Sequence, residues 1–419
     1  MRVKIILFIC CVFLISFNAF GVDKQNAHFE IKNVSEPNYI QHIQANAEAY
    51  YQVLRNNYFL QTWDVPLTIY YSNSEAETEQ LIYKNGHKEE AAGGYYIPSV
   101  PAIYVNRFRD NKDAAGWSPV FHQIARHFIE VNYPSLPEWV KKELAEFLGE
   151  RTRIVQNKLV AGPLDTRCQT VLNAEVEEKG AKVVSDSLRM LVLPSTKRFE
   201  NWECGPAFAS VFFNWLFNSG KLKPFLDNAQ NNGYNLQNLE DTMGKRYGDI
   251  KTEFMDFIKD KCSGAAHLEA AKNAPDATTK KQELTKALEL NPLNHTARLE
   301  LAKIFYGEED YQSCRENLEQ LLAEPANFEF LPAAWLMGNS CYKQMSYSKA
   351  LEFYNKTWEY AANYEYKHRV AYQIANCYYF LNNKKNAKQW YGTFLNTRWK
   401  SEQMVPHAEY ARKFIAIRK

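Results

Sequence analysis

In the first hundred residues, apolar and polar positions alternate in two short runs, His28 to Val34 and Pro66 to Ser72. The second reads Leu67-Thr68-Ile69-Tyr70-Tyr71, and a period of two with β-branched and aromatic residues predicts strands. Around them the apolar positions recur at helical spacing, over about 37–58 and 75–86. Gly93-Gly94 opens a predicted hairpin with arms Tyr95-Tyr96-Ile97 and Ala102-Ile103-Tyr104-Val105. From Ser118 onward the pattern predicts helices without interruption. Ser118 supplies an N-cap hydroxyl and Pro119 fits a first helical position. Phe121, Ile124, Ala125, Phe128 and Val131 then share one face, the predicted core side. Phe208, Val211, Phe212, Phe213, Trp215, Leu216 and Phe217 predict a buried core helix, too short to cross a bilayer. The expected fold class is an α+β front part followed by an all-α array.

The last third repeats. Ala302, Gly338 and Ala375 are followed twelve residues later by Cys314, Ala350 and Ala387, and four further on by Leu318, Tyr354 and Tyr391. Small residues let paired helices approach closely, and the large one fills the space between neighbouring units. The units start about 36 residues apart, and the segment 263–419 resembles tetratricopeptide repeats, whose period is 34. Ala287 to Pro292 has the ending of an earlier unit, a capping helix is expected near 404–417, and longer turns around Pro325 to Pro332 and Glu359 to Lys367. The resemblance implies a groove for a protein or peptide partner, faced by Lys303, Asn339 and Asn376, with Trp335, Arg369 and Tyr372 beside them. Too few basic residues stand there to match the dicarboxylate clamp of chaperone-binding repeats.

Composition narrows the classes. With 419 residues, 46% apolar, and 50 Lys plus Arg against 48 Asp plus Glu, the chain has material for several domains and no excess of cations for nucleic acid. Arg2 and Lys4 precede the apolar run Ile5 to Phe17, and Ala19-Phe20-Gly21 suits a signal peptidase. Residues 1–21 are therefore expected to be a signal peptide, giving an exported, periplasmic or secreted product without a membrane span. Beyond residue 21 the cysteines are Cys168, Cys204, Cys262, Cys314, Cys341 and Cys377, with no C-x-x-C pair. A disulfide between two of the first three remains open.

The chemistry-bearing stretch runs from Pro119-Val120-Phe121-His122-Gln123-Ile124-Ala125-Arg126-His127, through Pro137-Glu138-Trp139, to Lys142-Glu143-Leu144-Ala145-Glu146-Phe147. It resembles the gluzincin (peptidase MA-like) zinc metallopeptidases, and the resemblance covers about 22–262. In that family one helix carries H-E-x-x-H, and a second begins P-x-W and continues x-x-E-G-x-A-E. His122 stands at the first zinc ligand, Gln123 at the general base, Arg126 at the second histidine, Lys142 at the third ligand and Glu143 at the glycine after it. Catalytic zinc needs about three protein ligands and an open position. Arg126 and Lys142 bring cations instead, and glutamine cannot accept a proton from water.

The expectation is a pseudopeptidase with no catalytic residue, metal or cofactor, acting in protein or peptide binding or scaffolding in a bacterial envelope. His122 is then expected to be hydrogen-bonded along the former cleft, His127 to be structural and Trp139 to pack the second helix on the first. Glu146 is expected to hydrogen-bond within the cleft. A mixed-charge groove of Arg126, Lys141, Lys142, Glu143 and Glu146 remains for binding. The alternative is a zinc hydrolase with a rearranged site, in which a π-bulge brings His122 to His127 with Glu143 or Glu146. A hydrolase of other chemistry lacks its motif, as no G-x-S-x-G or H-E-x-x-H occurs.

Overall fold

The computed structural model describes residues 28–33, 37–58, 66–72, 75–84, 94–97, 102–106, 118–155, 158–162, 164, 171, 182–323, 329–360, 364–397 and 404–416. The expected leader and Cys168 lie outside them.

A small mixed sheet opens the fold, built from β1 (Phe29–Lys32), β2 (Leu67–Ser72), β3 (Gly94–Ile97) and β4 (Ala102–Asn106) in the order β1-β2-β4-β3. The first three neighbours run parallel, and β3 returns antiparallel to β4 as the hairpin reading predicts. Parallel pairing needs crossovers, and α1 (Pro37–Asn57) and α2 (Glu75–Lys84) follow β1 and β2. Ile43, Ala47, Tyr50, Tyr51 and Leu54 recur at helical spacing on α1 and are buried. Tyr50 stacks on Phe121 at 4.4 Å between ring centres, and Tyr51 meets Phe128 at 5.4 Å. This seats α3 (Ser118–Asn132) against α1 and the sheet.

Then come α4 (Glu138–Glu150), the strands β5 (Thr152–Val155) and β6 (Lys158–Ala161), α5 (Lys182–Leu191), α6 (Thr196–Glu200), α7 (Gly205–Asn218), α8 (Leu222–Asn232), α9 (Leu236–Met243) and α10 (Tyr247–Cys262). The apolar helix α7 is buried as expected, with Phe208, Val211, Phe212 and Phe213 no more than 1% exposed. The β5–β6 hairpin corrects the reading of unbroken helix after Ser118. Its strands are four residues each, too short for a period of two to stand out between helical stretches. The hairpin also joins the two parts of the chain, since Val155 packs with Phe330, Leu331 and Ala334. Apart from that junction, the main core runs from Phe29 to Ala265 with a smaller cluster of Ile82, Ile97, Ala102 and Tyr104, and separate clusters serve the residues from Leu268 on.

The array comprises α11 (Ala265–Lys272), α12 (Ala277–Leu290), α13 (His295–Gly307), α14 (Tyr311–Leu322), α15 (Phe330–Lys343), α16 (Tyr347–Tyr360), α17 (Tyr364–Phe380), α18 (Lys384–Asn396) and α19 (Val405–Ala416). Every small and large position read from the repeat is buried: Ala302, Cys314 and Leu318, then Gly338, Ala350 and Tyr354, then Ala375, Ala387 and Tyr391. A Cβ on Gly338 would stand 2.6 Å from the Tyr354 ring, so this close packing requires glycine there. The turns within the last three pairs share a left-handed residue, Glu309, Met345 and Asn382, with φ of 62°, 58° and 58°. The longer turns contract: Leu331 and Pro332 already lie in the first turn of α15, where proline breaks no helical hydrogen bond, and α17 begins at Tyr364. Among the described residues no helix is long and apolar enough to cross a membrane.

Cys262 is disulfide-bonded and Cys204 is not, which removes the pairing between those two. Burial raises the Cys314 and Cys377 thiols to about 11 and about 12, so neither is a thiolate nucleophile near neutral pH.

Candidate functional site

The motif residues lie on α3 and α4, two helices joined by the short loop 133–137 and packed along each other. They come into backbone contact at Gly149, near the end of α4. A Cβ there would come 2.3 Å from the backbone nitrogen of His122 and 2.4 Å from its Cα. On the other side Trp139 stacks on Phe199 of α6 at 4.0 Å and meets Tyr234 edge-on at 5.8 Å. Trp139 thus ties α4 to the helices that follow, within the same core as the α3 residues Ile124 and Phe128, and glycine closes the α3–α4 contact.

Ion pairs lie across the two helices. Arg126 donates through Nε and Nη2 to Glu130 Oε1, at 3.0 and 2.7 Å, and Nη2 also reaches Glu138 Oε1. Lys141 Nζ donates to the other oxygen of Glu130 at 2.7 Å. Burial works against ionising Glu130, yet the Lys141 ammonium and Arg126 guanidinium more than offset it and hold its carboxyl below the usual range. The sequence reading passed over Glu130. Its signal was present, an acid four residues after Arg126 on one helix face.

His122 Nδ1 lies 3.1 Å from Glu150 Oε1, hydrogen-bonded as expected, but it is not among the residues that line the cleft. His127 is 4% exposed, and its Nδ1 is hydrogen-bonded to the Tyr96 hydroxyl at 2.6 Å. The two histidines thus address different elements, α4 and β3, and α3 is regular between them, so the rearranged pairing is not formed. Gln123 is half-buried on the same helix.

Beside this pair of helices opens a cleft of about 310 Å³. Arg126, Lys142 and Glu143 line one side, and Thr196, Trp202 and Glu203 are on the other. Lys141 and Glu146, counted in the groove from sequence, turn elsewhere, to Glu130 and to Arg151 at 3.4 Å. With Glu138 and Glu200 also present, four carboxylates face two cations. A zinc ion at the motif would have His122 as its one protein ligand from the family's set and would face Arg126 and Lys142; these residues do not fit the metal. Among the described residues no group of three or more His, Cys, Asp and Glu side chains is placed to hold a metal ion.

The groove residues of the array have structural partners. Tyr354 donates its hydroxyl to Asn339 Oδ1 at 2.8 Å, and Tyr391 does the same to Asn376 Oδ1 at 2.6 Å. Each buried tyrosine finds its acceptor fifteen residues back, on the partner helix of its own unit. In the first unit both members differ: Lys303 pairs with Glu300 at 2.6 Å, and Leu318 has no hydroxyl to satisfy. Trp335 lies against Tyr354, Tyr372 against Tyr391, Phe394 and His407, and Arg369 is exposed.

Burial lowers the His127 imidazole to about 4, the nearby Glu130 charge opposing this only in part. The unfolded chain therefore binds this proton first as pH falls. The stability due to neutral His127 is complete above about pH 6.5 and is lost progressively down to about pH 4, a total of about 3 kcal/mol. Denaturant titrations across that range should show the decline, and His127→Gln should lack this component. Parallel pH profiles for the two proteins would contradict the assignment.

No family model matches the sequence, and no curated protein matches it.

Proposed function

We propose that this chain is an exported, catalytically inactive relative of the gluzincin peptidases, carrying a tetratricopeptide array and binding protein or peptide segments that it does not cut. The observation that carries this reading is the guanidinium of Arg126 fixed between Glu130 and Glu138, with Lys142 on the neighbouring helix. At the positions where the family holds a dication, this chain holds two cations, and the position of the base is an amide. Water there keeps its high pKa without a Lewis acid, and the Gln123 amide cannot take its proton as the family's glutamate does. The reading is supported by shape: two tightly packed helices, a cleft with aromatic walls and mixed charge, and a helical array that follows in the chain. An extended peptide suits such a cleft, since carboxylates and cations along its walls can orient it. The competing zinc hydrolase would need His122 and His127 to converge, against the partners each already has.

The test is the zinc content of the protein after exposure to zinc and removal of the excess, with peptide cleavage measured on the same sample. Near-zero zinc and no cleavage are expected. About one zinc per chain, lost in His122→Ala together with activity, would overturn the reading in favour of the hydrolase.

A further inference from the structure

The turns within successive helix pairs line one edge of the array, and that edge changes character along its length. The first turn is Glu308-Glu309-Asp310, the second Gln344-Met345-Ser346, the third Leu381-Asn382-Asn383. At the second and third, apolar side chains protrude: Met345 is 76% exposed, Phe380 50% and Leu381 40%. The patch is continuous. Tyr347 stacks on Phe380 at 4.7 Å, and Tyr379 meets Phe414 of α19 at 5.5 Å, so both turns and the last helix share one surface. Its charge is predominantly positive, with Glu409 at its margin. Segments 342–349, 378–388 and 410–416 hold seven Lys and Arg and no Asp or Glu, in a chain that is close to neutral overall. Lys343, Lys384, Lys385, Arg412 and Lys413 are exposed.

We infer that this edge docks on the surface of an anionic phospholipid bilayer. Packing on Tyr347 covers one face of Phe380 but leaves half of it exposed beside Met345 and Leu381, and a contiguous apolar patch of this kind marks an interaction site. The surrounding cations call for a negative partner. A row of turn tips offers no groove to enclose a peptide, but it fits a flat surface. Met345, Phe380 and Leu381 enter the boundary between headgroups and acyl chains, and the lysines meet lipid phosphates. The attachment is peripheral and leaves the cleft at α4 and α6 to its own ligand.

The experiment is co-sedimentation of the whole protein with vesicles of phosphatidylcholine alone, or with about a third phosphatidylglycerol. Partition onto the anionic vesicles should exceed that onto neutral ones at least about tenfold and fall steeply in about 0.5 M salt. Lys384→Glu with Lys385→Glu, and separately Phe380→Ser with Leu381→Ser, should each lower it about tenfold or more. Glu308→Gln, on the acidic turn, should leave it unchanged. The substituted side chains are exposed, and circular dichroism checks that each variant is folded. Equal partition onto both vesicles, or folded variants that bind as before, would overturn the inference. So would binding to polyglutamate but not to vesicles, which would assign the edge to an acidic protein.

Discussion

Gly149→Ala is expected to destabilise the protein by about 3 kcal/mol or more, although alanine is the better helix former by about 1 kcal/mol. The two effects have opposite signs and the distances decide between them. The added methyl would lie 2.3 Å from the nitrogen of His122, 2.4 Å from its Cα and 2.7 Å from the carbonyl carbon of Phe121. All three are backbone atoms of a helix, so no side chain can rotate away; α3 and α4 must separate. Separation would loosen the contact of His122 with Glu150 and the link from Lys141 to Glu130 at the other end of the pair. Gly392 on α18 is the internal control, because nothing lies within 4 Å of a Cβ placed there. Gly392→Ala should follow propensity and stabilise by up to about 1 kcal/mol. Urea unfolding of the two variants reads the contrast, and a Gly149→Ala protein as stable as the parent would refute the close approach.

The repeat was legible because it rests on side-chain volume at fixed spacing, which sequence displays directly. Ala302, Gly338 and Ala375, with the residues twelve and sixteen further on, all went to the core. Longer elements with clear periods, α1, β2 and α7, were legible for the same reason. The β5–β6 hairpin was not, since four residues carry too little pattern against a helical background. Trp139 shows a different limit. Its burial was foreseeable, but its direction depends on Phe199 and Tyr234, sixty and more residues away. Asn339 and Asn376 looked like groove residues by position, and both are half-buried on the first helices of their pairs. That their carbonyls satisfy tyrosine hydroxyls was readable in hindsight, as the Asn–Tyr spacing is kept in two units and both members change in the third. Arg126 was placed at the motif by register alone. Its fixed position between Glu130 and Glu138 needed the packing of α3 on α4.

Combining Gln123→Glu, Arg126→His and Lys142→Glu is expected to raise zinc affinity at least about a thousandfold, from no measurable binding to micromolar or tighter. His122 already has the setting of a ligand: Glu150 engages its Nδ1 at 3.1 Å, which leaves Nε2 for a metal and fixes the ring, as carboxylates do for zinc-bound histidines. The imidazole introduced at position 126 would stand four residues on, one helical turn along the same face. The carboxylate introduced at position 142 would enter from α4, the side from which the parent Lys142 lines the cleft. Removing the guanidinium also strips one partner from Glu130, which keeps Lys141, so the metal-free variant should lose some stability. Zinc should return it, by about 2.7 kcal/mol at a hundred times the dissociation constant. Calorimetric titration beside the single variants separates this from adventitious binding, because each alone leaves a cation or too few ligands in place. A folded triple variant without zinc affinity would mean that His122, Arg126 and Lys142 do not stand where the family's ligands do. The reading of this chain as a peptidase that exchanged its metal for fixed cations would then fall with that register.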